Sequence, residues 1–285
     1  MRVAFQGEIG AYSEEAVAGL YPGAEICPRP SFEAAFDSVS SGDVDRAVLP
    51  IENSLFGSVH QNYDLLLEHD LRILAEIQIR IRHQLLGLQG STLEGIRKVY
   101  SHPQAIGQCR TFLKEKLPNA EIIPSYDTAG AAKHVAETAD SSHAAIASRA
   151  AAGEYSLISL SPDIESNHAN YTRFLALGRS DSSQEEGLSP DVLKNGEAKT
   201  SLLYAQRENV PGGLFKSLAV FALRDIDLFK IESRPLVGSP GQYIFYLDLG
   251  GHEDDERVRN ALHHLNEVAA KVKVLGSYKS GLVLD

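Results

Sequence analysis

The sequence predicts an α/β region followed by a smaller βαββαβ sandwich, and three observations lead to this prediction. Up to about residue 178, short β-branched or aliphatic runs alternate with alanine-rich stretches that suit helices. From 179 to 198 this pattern gives way to Ser, Asp, Glu and Gly, which indicates a linker. Over 199–285 the strand and helix patterns then follow in the order βαββαβ, which is typical of the split ferredoxin-like sandwich.

The elements follow from local patterns taken in chain order. Runs of Val, Ile, Leu and Ala predict strands at residues 3–5, 47–51, 73–81, 98–100, 121–123, 144–147 and 171–177. Helices are predicted to begin at residues that can cap an N-terminus, namely Ser13, Ser31, Ser58, Ser101 or His102, Thr128 and Ser148. In the second region we expect strands at 201–205, 228–233, 243–249 and 272–278, with helices at 213–224 and 254–271.

Composition excludes several classes of protein. The 285 residues are 43% hydrophobic and 23% charged, which is typical of a folded chain, and the length favours about two domains. A formal net charge of −11 argues against nucleic acid as a partner, so local donors must meet any anionic substrate. Cys27 and Cys109 are distant and form no Cys/His cluster, which indicates a cytoplasmic protein without a structural metal. The sequence shows neither a signal peptide nor a long apolar run, so no membrane contact is expected.

Small polar residues cluster where four predicted strands give way to helices, at 7–13, 50–58, 101–105 and 148–149. Ligands of open α/β sheets bind beyond the carboxyl ends of strands, where helix N-termini offer free N–H groups to anions. Each cluster alone is explained as a turn or a helix cap, but their joint occurrence favours a site. The spacing Gly7-x-x-Gly10 lacks the third glycine of a dinucleotide fingerprint, so we expect no cofactor.

A fifth string, Asn-Tyr-Thr-Arg-Phe at 170–174, begins the last strand of the first region. Side chains alternate along a strand, so Thr172 and Phe174 share one face and Arg173 points to the other unless the strand ends there. A guanidinium binds carboxylates in a two-pronged geometry. Arg173 is therefore predicted to bind a substrate carboxylate or, if it points away, to brace the site from behind.

Together these strings resemble the prephenate dehydratase family, and the resemblance covers almost the whole chain. The matching segments are Gly7-x-x-Gly10-x-Tyr12-Ser13, Pro50-Ile51-Glu52-Asn53-Ser54-x-x-Gly57-Ser58-Val59, Ser101-His102-Pro103-Gln104-Ala105-Ile106-x-Gln108-Cys109 and Asn170-Tyr171-Thr172-Arg173-Phe174. Two later strings are similar to the Gly-Ala-Leu-Val and Glu-Ser-Arg-Pro strings of the ACT regulatory domain: Gly212-Gly213-Leu214-Phe215 and Glu232-Ser233-Arg234-Pro235. The first departs from the pattern at Gly213 and Phe215.

The resemblance implies a carbon–oxygen lyase of phenylalanine biosynthesis, which converts prephenate to phenylpyruvate with loss of carbon dioxide and water and without a cofactor. It implies a catalytic part at 1–178 with two lobes, similar to periplasmic binding proteins, and crossings near 77–82 and 160–166. It also implies an ACT domain at 199–285 that binds phenylalanine as allosteric effector, and a homodimer or homotetramer. Arogenate dehydratase and a non-catalytic two-lobed sensor of aromatic acids remain alternatives.

The resemblance also implies roles for individual residues, with Thr172 as the critical active-site residue. A threonine hydroxyl is too weak an acid to be the sole proton source, so we expect it to orient or relay a proton from water, Glu52 or His102. Arg173 is the second catalytic candidate. The candidate substrate contacts are Asn53, Ser54, Ser58, Ser101, Gln104, Ser148, Asn170 and Phe174. The candidate effector contacts are Gly212, Gly213, Leu214, Phe215, Glu232, Ser233, Arg234 and Pro235.

Overall fold

A computed structural model describes residues 1–194, 196–236, 238–239 and 241–284. Within these residues, the strands form three sheets, which we call the first lobe, the second lobe and the βαββαβ unit. The predicted α/β fold class is confirmed.

The first lobe begins with alternating strands and helices. These elements are β1 (Arg2–Gln6), α1 (Tyr12–Leu20), β2 (Glu25–Arg29), α2 (Phe32–Ser40), β3 (Arg46–Asn53), β4 (Gly57–Ser58), α3 (His60–Glu68) and β5 (Leu71–Arg80). β1 pairs in parallel with both β2 and β3, so the carboxyl ends of these strands lie at the same edge of the sheet.

The second lobe is formed by one continuous segment of the chain. It comprises β6 (Gln84–Gly87), a 3-10 turn (Leu93–Gly95), β7 (Lys98–Ser101), α4 (Pro103–Gln108), α5 (Arg110–Lys116), β8 (Glu121–Pro124), α6 (Thr128–Thr138), β9 (His143–Ala147), α7 (Arg149–Glu154) and β10 (Ile158–Ser161). Its sheet has the strand order β10-β6-β9-β7-β8.

The chain then returns to the first lobe as β11 (Tyr171–Arg179), which lies between β3 and β5 and is antiparallel to both. The two connections between the lobes are therefore residues 81–83 and 162–170. A short helix, α8 (Pro190–Lys194), follows β11. Because β11 completes the first sheet from a distant part of the sequence, the residues at its start lie directly beside both connections.

The βαββαβ unit contains β12 (Ala198–Gln206), α9 (Gly213–Ala222), β13 (Leu228–Pro235), β14 (Tyr243–Gly250), α10 (Glu256–Val268) and β15 (Ala269–Lys279). Its antiparallel sheet has the order β13-β14-β12-β15, which is the predicted ferredoxin-like topology. α9 and α10 cover one face through a core that includes Tyr204, Phe221 and Leu265. The last described strand, β16 (Leu282–Leu284), joins the first sheet beside β5.

The opposite face of this unit packs on the first lobe. Leu203, Tyr246 and Leu275 of the unit belong to one buried cluster with Leu49 and Ile73 of the first lobe. The two parts thus share a hydrophobic core, and burying such side chains is the main stabilising contribution in a folded chain.

The structure corrects several local expectations. Ser31, His102 and Ser148 cap α2, α4 and α7 as predicted. Ser13, Ser58 and Thr128 are not N-caps, because α1 begins after Ala11, α3 after Val59 and α6 after Asp127. Strands β2, β4, β6, β10 and β16 were not predicted, and each has five residues or fewer.

The predicted linker also contains structure that its composition conceals. Leu188 and Val192 are buried against the core of the first lobe, although polar residues surround them in the sequence. The domain boundaries at 178 and 198 stay a prediction. No helix in the described part of the chain has the length and apolar character needed to cross a membrane.

Candidate active site

A cleft with a volume of about 400 Å³ lies between the two lobes, at the predicted strand ends. Residues of both lobes line it: Gln6, Ala11, Tyr12, Ser13, Phe32, Pro50, Asn53, Phe56, Gly57, Ser58, Val59, Ile81, His83, His102, Gln104, Ala105, Gln108, Tyr126, Asp127, Thr128, Thr172 and Phe174. The cleft thus brings together parts of four of the five strings that the sequence singled out; the exception is 148–149.

Thr172 lies at the floor of this cleft, opposite Asn53 across the β11–β3 ladder. The register of the ladder shifts just after Arg173, where Phe174 pairs with Pro50 and Ile51 is left without a partner in β11. Such a bulge re-aims side chains next to it and is common beside active sites. Here it sets the Thr172 and Asn53 side chains together at the carboxyl end of β3.

The amide of Asn53 fixes the hydrogen-bonding direction of Thr172. Its Oδ1 accepts from the N–H groups of Leu55 and Phe56 at 2.9 and 3.1 Å, so Nδ2 must be the donor. Nδ2 donates to Asn170 Oδ1 at 2.8 Å and to Thr172 Oγ1 at 3.0 Å. Because Thr172 Oγ1 accepts this bond, and its own proton meets no acceptor among the described residues, the hydroxyl can donate into the cleft.

Anions in this cleft would have to be held without basic side chains. Among the described lining residues, none is a lysine or an arginine. Instead, α1, α3 and α6 begin at the cleft, with nine, nine and eleven residues. Their first turns carry free N–H groups and the positive end of the helix dipole, which stabilise carboxylates.

Two histidines face the cleft, His83 in the first connection between the lobes and His102 in the second lobe. Burial lowers the pKa of His102, whose Nδ1 accepts from the Gln104 N–H at 3.3 Å, so the neutral ring carries its proton on Nε2. Burial also lowers the pKa of His83, which lies between the Tyr12 hydroxyl, at 3.1 Å, and the Gln108 side-chain amide. His102 was predicted. His83 was missed, although it lies one residue beyond the predicted crossing.

Asp127 contributes a carboxyl group to the cleft in the described structure. Its oxygens accept from the N–H groups of Gly130 and of Glu8, the latter at 3.2 Å. Burial raises the pKa of Asp127 despite these bonds. The group is thus mainly a cap of α6 that also joins the lobes.

Arg173 does not enter the cleft, and its assignment as a substrate ligand is wrong for this structure. Alternation along β11 turns it to the opposite face, where Nε donates to Glu76 and Nη1 to Asp248, both at 2.5 Å. Nη2 donates to the Tyr278 hydroxyl at 3.0 Å. The guanidinium is committed to these partners, so Arg173 is the brace that the sequence offered as its alternative role.

Four other candidates are structural in this geometry. Ser101 Oγ donates to the Ile146 carbonyl at 2.6 Å within the second sheet. Ser148 Oγ donates to the Gly10 carbonyl at 2.6 Å and caps α7. Ser54 Oγ donates to the Ala169 carbonyl at 2.9 Å, and Asn170 is fully buried behind Asn53. None of the four lines the cleft, because a strand-end position does not determine where a short polar side chain points.

The remaining substrate candidates, Asn53, Ser58, Gln104 and Phe174, do line the cleft. Ser58 also donates to Glu232 of the βαββαβ unit at 2.6 Å. Glu52 lies outside the cleft lining, and its carboxylate accepts from Lys230 at 2.9 Å. It is therefore a poor candidate for the proton source.

A second cavity, of about 450 Å³, lies where α9 begins. Five predicted effector residues line it, namely Gly212, Gly213, Leu214, Phe215 and Ser233, together with Gln206, Asn209, Val210, Tyr243 and Phe245. Gly212 has a φ of 79°, a left-handed conformation that favours glycine and lets the loop turn into α9.

The other predicted effector residues do not line this cavity. Glu232 and Arg234 alternate with Ser233 along β13 and contact the first lobe, at Ser58 and at Asp64. Pro235 ends β13. The assignment of Glu232 and Arg234 to the effector pocket is thus wrong for this structure, since opposite faces of a strand cannot line the same cavity. Pro235 shares the face of Ser233 but is not among the residues that line the cavity.

Comparison with known proteins identifies the family of the chain. The family model described as prephenate dehydratase matches residues 3–182. Arogenate dehydratase/prephenate dehydratase 2 of Arabidopsis thaliana, a chloroplastic protein, is 46% identical over 287 residues, which cover 98% of this chain and 72% of the relative.

Two solved structures are each 33% identical to this chain. One is prephenate dehydratase from Arthrobacter aurescens in complex with L-Phe, with a TM-score of 0.88 over 98% of this chain and 90% of that one. The other is described as GqqA, a novel type of quorum quenching acylase, with a TM-score of 0.87 over 99% and 98%. On the family match and the 46% identity, this chain belongs to the prephenate dehydratase family of lyases.

Proposed function

We propose that this enzyme converts prephenate to phenylpyruvate, with phenylalanine as its allosteric inhibitor. The observation that carries the proposal is the orientation of Thr172, whose Oγ1 accepts from Asn53 at 3.0 Å and whose proton is left for an acceptor in the cleft. The departing hydroxyl of prephenate is such an acceptor.

The chemistry asks little more of the protein. Loss of a carboxylate as carbon dioxide and of the opposite hydroxyl makes the ring aromatic, so much of the driving force lies in the substrate. The protein has to orient two carboxylates and polarise the leaving oxygen. The first turns of α1, α3 and α6 supply donors for the carboxylates, and water or the Nε2–H of His102 supplies the proton.

Arogenate is the alternative substrate, because relatives carry both names. It has an ammonium group in place of the keto oxygen. A site that favours arogenate would therefore place a charged carboxylate beside this ammonium group. Asp127 is the carboxylate among the described lining residues. Its oxygens already accept hydrogen bonds from two backbone N–H groups, and burial raises its pKa. We therefore favour prephenate.

The decisive experiment is a turnover assay. Purified protein, treated exhaustively with a chelator, is incubated with prephenate, with arogenate and, because of the acylase relative, with an N-acyl amide; the products are identified by mass spectrometry. We expect phenylpyruvate from prephenate at the highest kcat/KM. Formation of phenylalanine from arogenate at a higher kcat/KM would assign arogenate as the substrate. A rate that is restored only by added metal would contradict cofactor-free catalysis. Binding without any product would indicate a sensor.

The cavity at the start of α9 is the proposed phenylalanine site of an ACT domain. The first amides of α9 can receive a carboxylate, and Val210, Leu214 and Phe245 offer apolar surface to a ring. The Arthrobacter relative was solved with L-Phe, which supports this ligand. A ligand inhibits only if it favours one conformation over another. Calorimetry and rate measurements at subsaturating prephenate should show binding together with inhibition, and binding without inhibition would refute the coupling.

We also propose a homodimer or homotetramer in the cytoplasm. β13 is an edge strand whose Phe229 and Ile231 are about half exposed, and edges of this kind pair readily with a second copy. Light scattering would give the oligomeric state. Cys27 and Cys109 are unpaired, which suits a reducing compartment, whereas the Arabidopsis relative is named chloroplastic. Cell fractionation would decide between these locations.

A further inference from the structure

The residue beside Thr172 is held by a part of the chain that contributes no lining residue to the cleft. Arg173, on the other face of β11, contacts Asp248 on β14 and Tyr278 on β15, both in the βαββαβ unit. It also contacts Glu76 of β5. All three partners are buried. The side chain of Glu76 is 0% exposed and that of Asp248 is 10% exposed.

The partners of Arg173 are themselves fixed by further hydrogen bonds. Ser201 Oγ donates to Asp248 Oδ1 at 2.5 Å and lies 2.6 Å from the Tyr278 hydroxyl. Lys199 donates to Glu76 Oε1 at 2.5 Å. Every charged member thus has an opposite charge at hydrogen-bond distance, and a buried network satisfied in this way resists displacement.

We propose that Asp248 and Tyr278 are positioning residues for the dehydratase reaction, which act by holding Arg173 and thereby the backbone of Thr172. The inference rests on the proposed function for its kinetic part. The proposal assigns an indirect role in catalysis to Asp248 and Tyr278, which lie outside the catalytic lobes and contact neither the substrate nor the cleft.

The bulge in β3, opposite Arg173 and Phe174, explains why such a brace matters. The β3–β11 ladder is irregular just after Arg173, whereas the β11–β5 ladder is regular from Tyr171 to Ala176, so backbone hydrogen bonds fix Thr172 firmly towards β5 and less firmly towards Asn53 on β3. Arg173 anchors the residue at the irregular position from the opposite face. A hydroxyl that must meet a leaving oxygen within hydrogen-bond reach is sensitive to displacements of about 1 Å, which can reduce a rate by about 10²-fold.

A second ion pair provides a matched control. Arg234 of β13 donates to Asp64 of α3 at 2.7 Å, so this pair also joins the βαββαβ unit to the first lobe. It touches neither β11 nor the cleft lining. This pair is more exposed than the Arg173–Asp248 pair, so its loss should cost less stability. If the ion pairs only hold the two parts together, then losing either one should leave kcat unchanged.

The experiment compares Asp248→Asn and Tyr278→Phe with Asp64→Asn in the full chain. We expect Asp248→Asn to lower kcat about 10-fold with KM changed less than about twofold, Tyr278→Phe to lower kcat less, and Asp64→Asn to leave kcat within about twofold. In a Thr172→Ala background, Asp248→Asn should have almost no further effect on kcat, because it acts through the missing hydroxyl. Equal kcat for Asp248→Asn and Asp64→Asn, or additive losses with Thr172→Ala, would overturn the proposal.

Hydrogen exchange tests the positioning without any substrate. Asp248→Asn should accelerate exchange in a peptide covering 170–177 but not in one covering β1, while Asp64→Asn should change neither. If the wild type turns over no prephenate but this local acceleration is present, the proposed function fails and the positioning stands. If prephenate is turned over but exchange at 170–177 is unchanged, the positioning fails and the function stands. If Asp248→Asn does not fold, Tyr278→Phe carries the same comparison.

Discussion

The first lobe meets its two neighbours in different ways. Towards the second lobe the contacts are mainly hydrogen bonds, such as Ser148 to the Gly10 carbonyl and Tyr155 to the Ile9 carbonyl, at 2.6 and 2.7 Å. An ion pair between Glu8 and Lys133 and the packing of Ala129 against the first lobe add to them. Towards the βαββαβ unit there is a continuous apolar core, which includes Leu49 and Tyr246, and a buried ion-pair network centred on Glu76.

This difference assigns separate tasks to the two boundaries. A few hydrogen bonds and two connecting segments allow the lobes to open and close around a ligand, as in hinged domains. A shared core cannot open without exposing apolar surface. We therefore expect changes at the core boundary mainly to lower stability and changes at the cleft boundary mainly to alter kinetics. The partners of Arg173, which we propose to affect kcat as well, and Glu15, which affects stability, are the exceptions.

The largest expected loss of stability comes from Glu76→Gln. Glu76 is fully buried and pairs with both Arg173 and Lys199, so the amide would leave the buried Lys199 without its carboxylate partner and Arg173 with Asp248 alone. We expect the free energy of unfolding in urea to fall by about 3 kcal/mol or more. Glu253→Gln is the control, because its pair with Arg72 joins the same two parts but is partly exposed, and it should cost under about 1 kcal/mol. Similar losses for both would remove the distinction between core and surface pairs.

At the cleft boundary the largest kinetic effect is expected from Thr172→Ala. Loss of the hydroxyl that polarises the leaving group should lower kcat about 10²-fold or more, whereas Thr172→Ser keeps the oxygen and should retain much more activity. Urea unfolding should show both variants close to wild type. Wild-type kcat in the alanine variant would mean that the hydroxyl has no role.

A pH effect is expected at the outer side of the cleft boundary, where Glu15 of α1 lines a cavity of about 330 Å³ with Gln84 and Arg149 of the second lobe. Burial, with a smaller contribution from Glu14, raises the pKa of Glu15 from 4.5 to about 7. The folded state therefore keeps a proton that the unfolded state loses, so stability falls as pH rises from about 4.5 to about 7.

Glu15→Gln should remove this pH dependence. Because the side chain retains some solvent contact, we expect the variant to be about 2 kcal/mol more stable than wild type at pH 8 and equal to it at pH 4. Thermal melts at both pH values provide the measurement, and Glu14→Gln is the control. A difference that is independent of pH would contradict a raised pKa.

The smallest effect is expected from Ser148→Ala. The variant loses the hydrogen bond to Gly10 and the cap of α7, which together contribute about 1 kcal/mol. Since this bond joins the lobes, KM for prephenate should rise a few-fold while kcat changes little. Ser101→Ala, which loses a bond within one lobe, should leave KM unchanged. An equal rise in both would mean that lobe contact is not the cause.

Periodicity predicted the architecture well, because alternating and helical patterns directly reflect which faces are buried. The period-2 alternation of 170–174 correctly predicted that Thr172 and Phe174 lie on one face of β11 and Arg173 on the other. It could not reveal which face meets the cleft, since that depends on β3, β5 and the βαββαβ unit, which pack against β11 from distant parts of the sequence.

Side-chain direction was the part of the site that sequence could not supply. Ser101 and Ser148 belong to strings that border the cleft, yet each hydroxyl is satisfied by a carbonyl elsewhere. Alternation along β13 separates Glu232 from Ser233, which the resemblance of the four-residue string as a whole conceals. His83 carried no local pattern, because its place in the cleft follows from the chain crossing between the lobes.

The position of β11 between β3 and β5 also has a consequence for how the chain folds. The second lobe occupies one uninterrupted segment, 84–161, whereas the first sheet needs a strand made only after that segment. During synthesis the second lobe can therefore form while β3 and β5 still lack their common neighbour. Contacts of long sequence separation form slowly, and unpaired strands favour misassembly in the interval. We expect the first lobe to be the late-folding part and the one that benefits from chaperones.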